Sequence, residues 1–127
     1  MNNEELNRKF GIFEQQIRQI QEQLQAVENA IFEMDIIDSG LGEIEGKTGE
    51  EIMAPIGKGI FVKAKLLSEE LTVDVGDKHF IKKTIPDTQK LIRDQVENLG
   101  KMKNELEKSL DKINGEITQT MLNAEKK

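Results

Sequence analysis

The sequence predicts an α+β fold, mainly helical: a long antiparallel two-helix coiled coil with two β-hairpins at the end opposite the termini. Three observations predict it. From Leu6 the apolar residues recur at Phe10, Phe13, Ile17, Ile20, Leu24, Val27, Ile31 and Met34, alternating steps of four and three, which is the seam of a coiled coil. A second seam runs Ile92, Val96, Leu99, Leu106, Leu110, Ile113 and Ile117, interrupted by Lys103 and fading at Thr120. Between the seams lie two β-prone runs, each folded about a glycine-containing turn, so the helical stretches must fold back on each other.

The first helix is expected over residues 4–37, a stretch rich in Glu, Gln, Leu and Arg with no proline and with Gly11 as its weak point. Asp38, Ser39, Gly40 and Gly42 are expected to stop it. The following stretch, 38–51, reads as an exposed acidic linker, since four glycines fall between Gly40 and Glu51.

Two hairpins are expected over 52–84. Ile52–Ile56 and Ile60–Leu67 flank Gly57-Lys58-Gly59, and Leu71–Val75 and His79–Thr84 flank Gly76-Asp77-Lys78. Pro55 cannot donate a ladder hydrogen bond, so its strand is expected to lie at an edge or to begin late. In the longest strand Ile60, Val62, Ala64 and Leu66 share an apolar face, while Phe61, Lys63, Lys65 and Leu67 share a mixed one. Four short strands do not close a core, and a lone hairpin is marginal in water, so this face needs cover from other subunits. Ile60, Val62, Leu66, Leu71, Val73, Val75 and Phe80 are the expected oligomerisation residues.

The second helix, expected over 85–125, begins at Thr84-Ile85-Pro86-Asp87. Thr84 can cap the free amide of Asp87, Pro86 has no amide to leave unpaired, and Asp87 suits the positive helix end. At ~1.5 Å per residue both helices reach roughly 50–60 Å, so an antiparallel pair would bring Met1 and Lys127 together. The whole of 1–127 is read as one domain.

Composition narrows the function classes. A chain with 36% hydrophobic and 4% aromatic residues and no Trp or Tyr suits solvated helices better than a large globular core. A net charge of -6, with basic residues interleaved among acids, disfavours nucleic acid. No cysteine means no disulfide and no thiolate metal site, and no apolar run reaches the ~20 residues of a membrane span. The polar, acidic start is unlike a signal peptide, so a cytoplasmic protein without cofactor or metal is expected.

The hairpin block resembles the prefoldin family, and within it the alpha class, which carries two hairpins. The residues that carry the resemblance are Ala54-Pro55-Ile56-Gly57-Lys58-Gly59-Ile60-Phe61-Val62-Lys63, Val73-Asp74-Val75-Gly76 and His79-Phe80-Ile81-Lys82-Lys83-Thr84. The resemblance implies a heterohexamer of two alpha and four beta subunits, with the hairpins forming a double β-barrel body and six coiled coils hanging from it. It also implies an ATP-independent chaperone that holds unfolded polypeptides at the coiled-coil ends and passes them to a group II chaperonin.

A holdase needs apolar side chains that water can reach. Leu6, Phe10, Ile12, Phe13, Ile117, Met121 and Leu122 are the expected client-binding residues, and Ile12 and Met121 fall off the seam. Methionine adapts to irregular partners, and Gly11, Gly115 and Thr120 weaken helix order nearby. The contrasting reading is an architectural scaffold or filament subunit in which these residues only close the helix pair. Two tempting signals lead elsewhere. Gly46-Lys47-Thr48 resembles the end of a phosphate-binding loop, but Leu41 stands where that motif requires glycine. His79 is the single histidine, and no nucleophile–base pair can be inferred, so no enzymatic activity is expected.

Overall fold

The computed structural model describes residues 2–125; Met1 and residues 126–127, where the two chain ends were expected to meet, lie outside the described residues. The element order is α1 (Asn3–Ile44), β1 (Glu51–Gly57), β2 (Ile60–Lys65), β3 (Leu71–Asp74), β4 (Phe80–Lys83) and α2 (Ile85–Glu125). This is an α+β chain dominated by helix, with two antiparallel hairpins between two long helices. It divides into two compact units, one made of residues 1–33 and 96–127 and the other of 34–95.

The first unit is a pair of helix stretches. Glu28 on α1 meets Lys103 on α2 at 3.6 Å, and Gln16, Gln19 and Ile20 line the same shallow groove as Ser109, Ile113 and Glu116. Rising numbers on one helix meet falling numbers on the other, so the pairing is antiparallel. The half-buried and buried positions of α2 step through Val96, Leu99, Lys103, Leu106, Leu110, Ile113, Ile117, Thr120 and Ala124 without a break. Lys103 therefore occupies a seam position, its side chain 39% exposed. Thr120 is buried as well; its hydroxyl donates to the Glu116 carbonyl at 2.8 Å, which lets a polar residue continue the seam.

The second unit begins with the last turns of α1, and here the structure corrects the sequence reading. The helix does not stop at Asp38–Gly42 but runs to Ile44, leaving only 45–50 between helix and strand. The seam explains it, because Met34, Asp38, Leu41 and Ile44 keep the spacing of half-buried positions. Gln89 of α2 donates to the Asp38 carbonyl at 3.5 Å, and Arg93 approaches the Asp38 carboxylate at 3.9 Å. Packing along the seam outweighs about 1 kcal/mol of helix propensity lost at each of Gly40 and Gly42. The helix closes at Gly46, whose φ of +78° suits a left-handed C-terminal residue, with the Lys47 amide donating to the Ile44 carbonyl at 3.1 Å.

Both helix starts carry side-chain caps. Asn2 Oδ1 accepts from the Glu5 amide at 2.8 Å, and Thr84 Oγ1 accepts from the Asp87 amide at 3.2 Å. In the first hairpin Ile52 pairs with Ala64 and Ala54 with Val62, giving one apolar face; Met53–Lys63 and Pro55–Phe61 form the other. The connecting Lys58-Gly59 pair has φ of 49° and 79°, the two positive values that a type I′ turn requires. In the second hairpin Leu71 pairs with Lys83 and Val73 with Ile81, while Asp74 pairs with Phe80. Phe80 thus lies on the opposite face from Leu71 and Val73, whose face Ile81 shares. Ile85, at the start of α2, is the most deeply buried large side chain among the described residues, 2% exposed.

Candidate functional site

Two regions carry the expected site residues, one in each unit. In the first unit the seam residues Leu6, Phe10 and Ile117 are half-buried and Phe13 is buried. Phe10 and Phe13 stack with ring centroids 6.4 Å apart at a 56° tilt. Continuing the antiparallel register from Glu28–Lys103 sets Phe13 opposite position 118, between the seam residues Ile117 and Thr120, and Phe13 and Thr120 are both buried. Ile12 is 50% exposed, Met121 51% and Leu122 47%, because heptad spacing turns all three away from the seam. The accessible apolar surface here thus belongs to the off-seam residues, and Phe13 is spent on closing the helix pair.

In the second unit the apolar hairpin faces hold Val62, Ile60, Leu71 and Val73, of which Leu71 and Val73 are half-buried and Ile60 and Val62 exposed. Leu66 and Val75 sit just past the ends of β2 and β3 and still hydrogen-bond through the backbone, Leu66 with Glu50 and Val75 with His79. His79 closes the second turn through its main chain. Each two-stranded sheet leaves both strand edges without a ladder partner among the described residues.

Sequence reasoning missed other exposed apolar residues. Ile36, Ile37 and Leu91 in the second unit are 55%, 48% and 47% exposed, and Phe32 in the first is 66% exposed. Their signal was present, since all four fall between seam positions. It also missed Glu69, whose carboxylate accepts from the Gly46 amide at 2.5 Å and from the Thr48 hydroxyl at 2.8 Å. The Gly46 hydrogen bond first, and the Thr48 hydroxyl second, lower its pKa below the usual glutamate value. Among the described residues no cluster of three or more His, Asp or Glu is placed to hold a metal, and no helix is long and apolar enough to cross a membrane.

The family model for prefoldin subunits matches residues 13–127. The chain belongs to the prefoldin family. It is 31% identical to a prefoldin subunit alpha of Methanobrevibacter smithii over 116 residues, covering 91% of this chain and 75% of that one. It is 28% identical to a prefoldin subunit alpha of Methanococcus vannielii, covering 98% and 87%. Among solved structures it is similar to a filamentous prefoldin from Methanocaldococcus jannaschii, with a TM-score of 0.79 and 17% identity over 92% of this chain and 98% of that chain. That last likeness concerns the fold. Prefoldins are chaperone subunits, and they assemble with other prefoldin subunits.

Proposed function

We propose that this prefoldin chain is a holdase subunit: its hairpins join it to other subunits, its helix ends capture unfolded polypeptides, and it hands them to a group II chaperonin without ATP. An assembly of two alpha with four beta subunits, working in the cytoplasm, is the expected form. The observation that carries the reading is the exposure of Ile12 near the start of α1 and of Met121 and Leu122 near the end of α2, where a two-helix seam gives them no cover. Burying one such side chain gains about 1.5–3 kcal/mol, so one helix pair binds a client weakly. Several pairs on one body multiply that affinity by about 10²–10⁴. Weak helix ends and an oligomerising sheet are two halves of one mechanism.

The test is suppression of aggregation of a chemically unfolded protein by the assembled oligomer. Ile12→Ser, Met121→Ser and Leu122→Ser together should protect less while leaving the oligomeric mass unchanged, because none of the three closes the seam. Equal protection by the triple variant would refute the capture assignment. A second reading, a scaffold or filament subunit without clients, is prompted by the filamentous structural neighbour. It predicts growth to long polymers and no protection at all.

A further inference from the structure

The six residues from Glu45 to Glu50 link α1 to β1 and contain no apolar side chain, so burial cannot hold this strap in place. Gly46 and Gly49, with φ of +78° and +90°, take left-handed conformations that impose little restraint of their own. Hydrogen bonds must hold it. Two continue the ladder of the first hairpin: the Gly49 amide donates to Leu66 O at 2.7 Å, and the Leu66 amide to Glu50 O at 3.0 Å. Two more go to the Glu69 carboxylate, one from the Gly46 amide and one from the Thr48 hydroxyl, beside the local turns from the Lys47 amide to Ile44 O and from the Glu50 amide to Lys47 O.

We propose that Glu69 is a positioning residue that clasps this strap to the crossover between the hairpins and so holds the first hairpin as assembly requires. The proposal rests on the assembly role given above. The phosphate-loop look of Gly46-Lys47-Thr48 has its explanation here, since an amide and a nearby hydroxyl form an anion-binding pair and Glu69 supplies the anion from within the chain. The adjacent residue reaches the other way. Glu70 approaches Lys82 of β4 at 3.5 Å, and its amide donates to Ser68 Oγ at 2.9 Å, which shapes the crossover. Side by side, the two carboxylates link the exit of α1 and the first hairpin to the second hairpin.

The test compares full-length wild type, Glu69→Ala and Glu69→Gln, alone and mixed with a single-hairpin prefoldin subunit. Amide hydrogen exchange at Gly46, sedimentation of the assembly and helix content by circular dichroism are measured together. In Glu69→Ala the Gly46 amide should exchange about tenfold faster and the dissociation constant of the assembly should rise about threefold or more, at unchanged helix content. Glu69→Gln, which keeps an acceptor for Gly46, should fall between the two. Wild-type assembly by Glu69→Ala, or unchanged Gly46 exchange, overturns the role of Glu69 alone. A wild-type chain that stays monomeric in both settings overturns the assembly reading, and the positioning role with it.

Discussion

Single residues in this chain act mostly through hydrogen bonds and charge, because few side chains are deeply buried. Glu69 is the clearest case. Its folded-state pKa is lowered, so its contribution is present above the unfolded glutamate value and is lost as pH falls through the folded value. Glu45, Glu70 and Asp87, with Lys82 and Lys83, line the same hollow. Comparison with Glu69→Gln removes what is common to both proteins. Thermal melts from about pH 6 to about pH 3 should show wild type losing more stability than Glu69→Gln toward the acid end, since only wild type has this carboxylate to protonate. Parallel curves would mean that the carboxylate adds nothing beyond a neutral acceptor. Lys103 makes the opposite trade. It places an ammonium at a seam position and answers it with Glu28 at 3.6 Å, a pair that is exposed enough to be weak. A polar residue in a seam fixes register at a cost in stability, so Lys103→Leu should raise unfolding stability by about 1 kcal/mol in denaturant titrations while broadening the distribution of oligomeric masses.

At the scale of elements, glycine means different things at neighbouring positions of α1. Gly40 lies in helix, and an added Cβ there meets nothing within 4 Å, so Gly40→Ala should stabilise the chain by up to about 1 kcal/mol. Gly46, with φ of +78°, closes the same helix, and Gly46→Ala should destabilise it by about 1–2 kcal/mol. Paired denaturation midpoints moving in opposite directions would establish where the helix ends in solution. These two glycines also show why that boundary was hidden in the sequence. Propensity marks Gly40 and Gly42 as breakers, whereas the seam that carries α1 past them runs on through the half-buried Leu41 and Ile44 and is tied at Asp38 to Gln89 and Arg93 of a helix half the chain away. The start of α2 was legible because Thr84, Pro86 and Asp87 act on their own backbone. Both turns were legible for the same reason. The register of the second hairpin was not, because the pairing of Asp74 with Phe80 is set by the five-residue loop 75–79, entered through an Asx turn in which the Gly76 amide donates to Asp74 Oδ1 at 2.9 Å.

For the molecule as a whole, the residues that hold each unit together are few, and most of the remaining apolar surface faces outward. The off-seam residues Ile12 and Met121 were legible as accessible from heptad spacing alone, whereas the burial of Thr120 and the clasp at Glu69 depended on partners four and more than twenty positions distant. The hairpin faces are where outward apolar surface should matter most. Val62 lies opposite Ala54 and beside Ala64 opposite Ile52, and it is 48% exposed in the isolated chain. Two-stranded sheets of this size are marginal by themselves, so covering that face with another subunit stabilises both the sheet and the complex. Val62→Asp leaves the isolated chain nearly unaffected, since the new carboxylate stays in water there. Assembly would force it out of water without a partner, at a cost of several kcal/mol. Helix content and melting of the monomer should therefore match wild type, while sedimentation shows loss of the large species. Protection of unfolded clients should fall by about 10²–10⁴ in apparent affinity as the helix pairs act singly. A Val62→Asp chain that keeps its oligomeric mass would place the assembly surface elsewhere, with the Met53–Phe61 face of the same hairpin next to be tested.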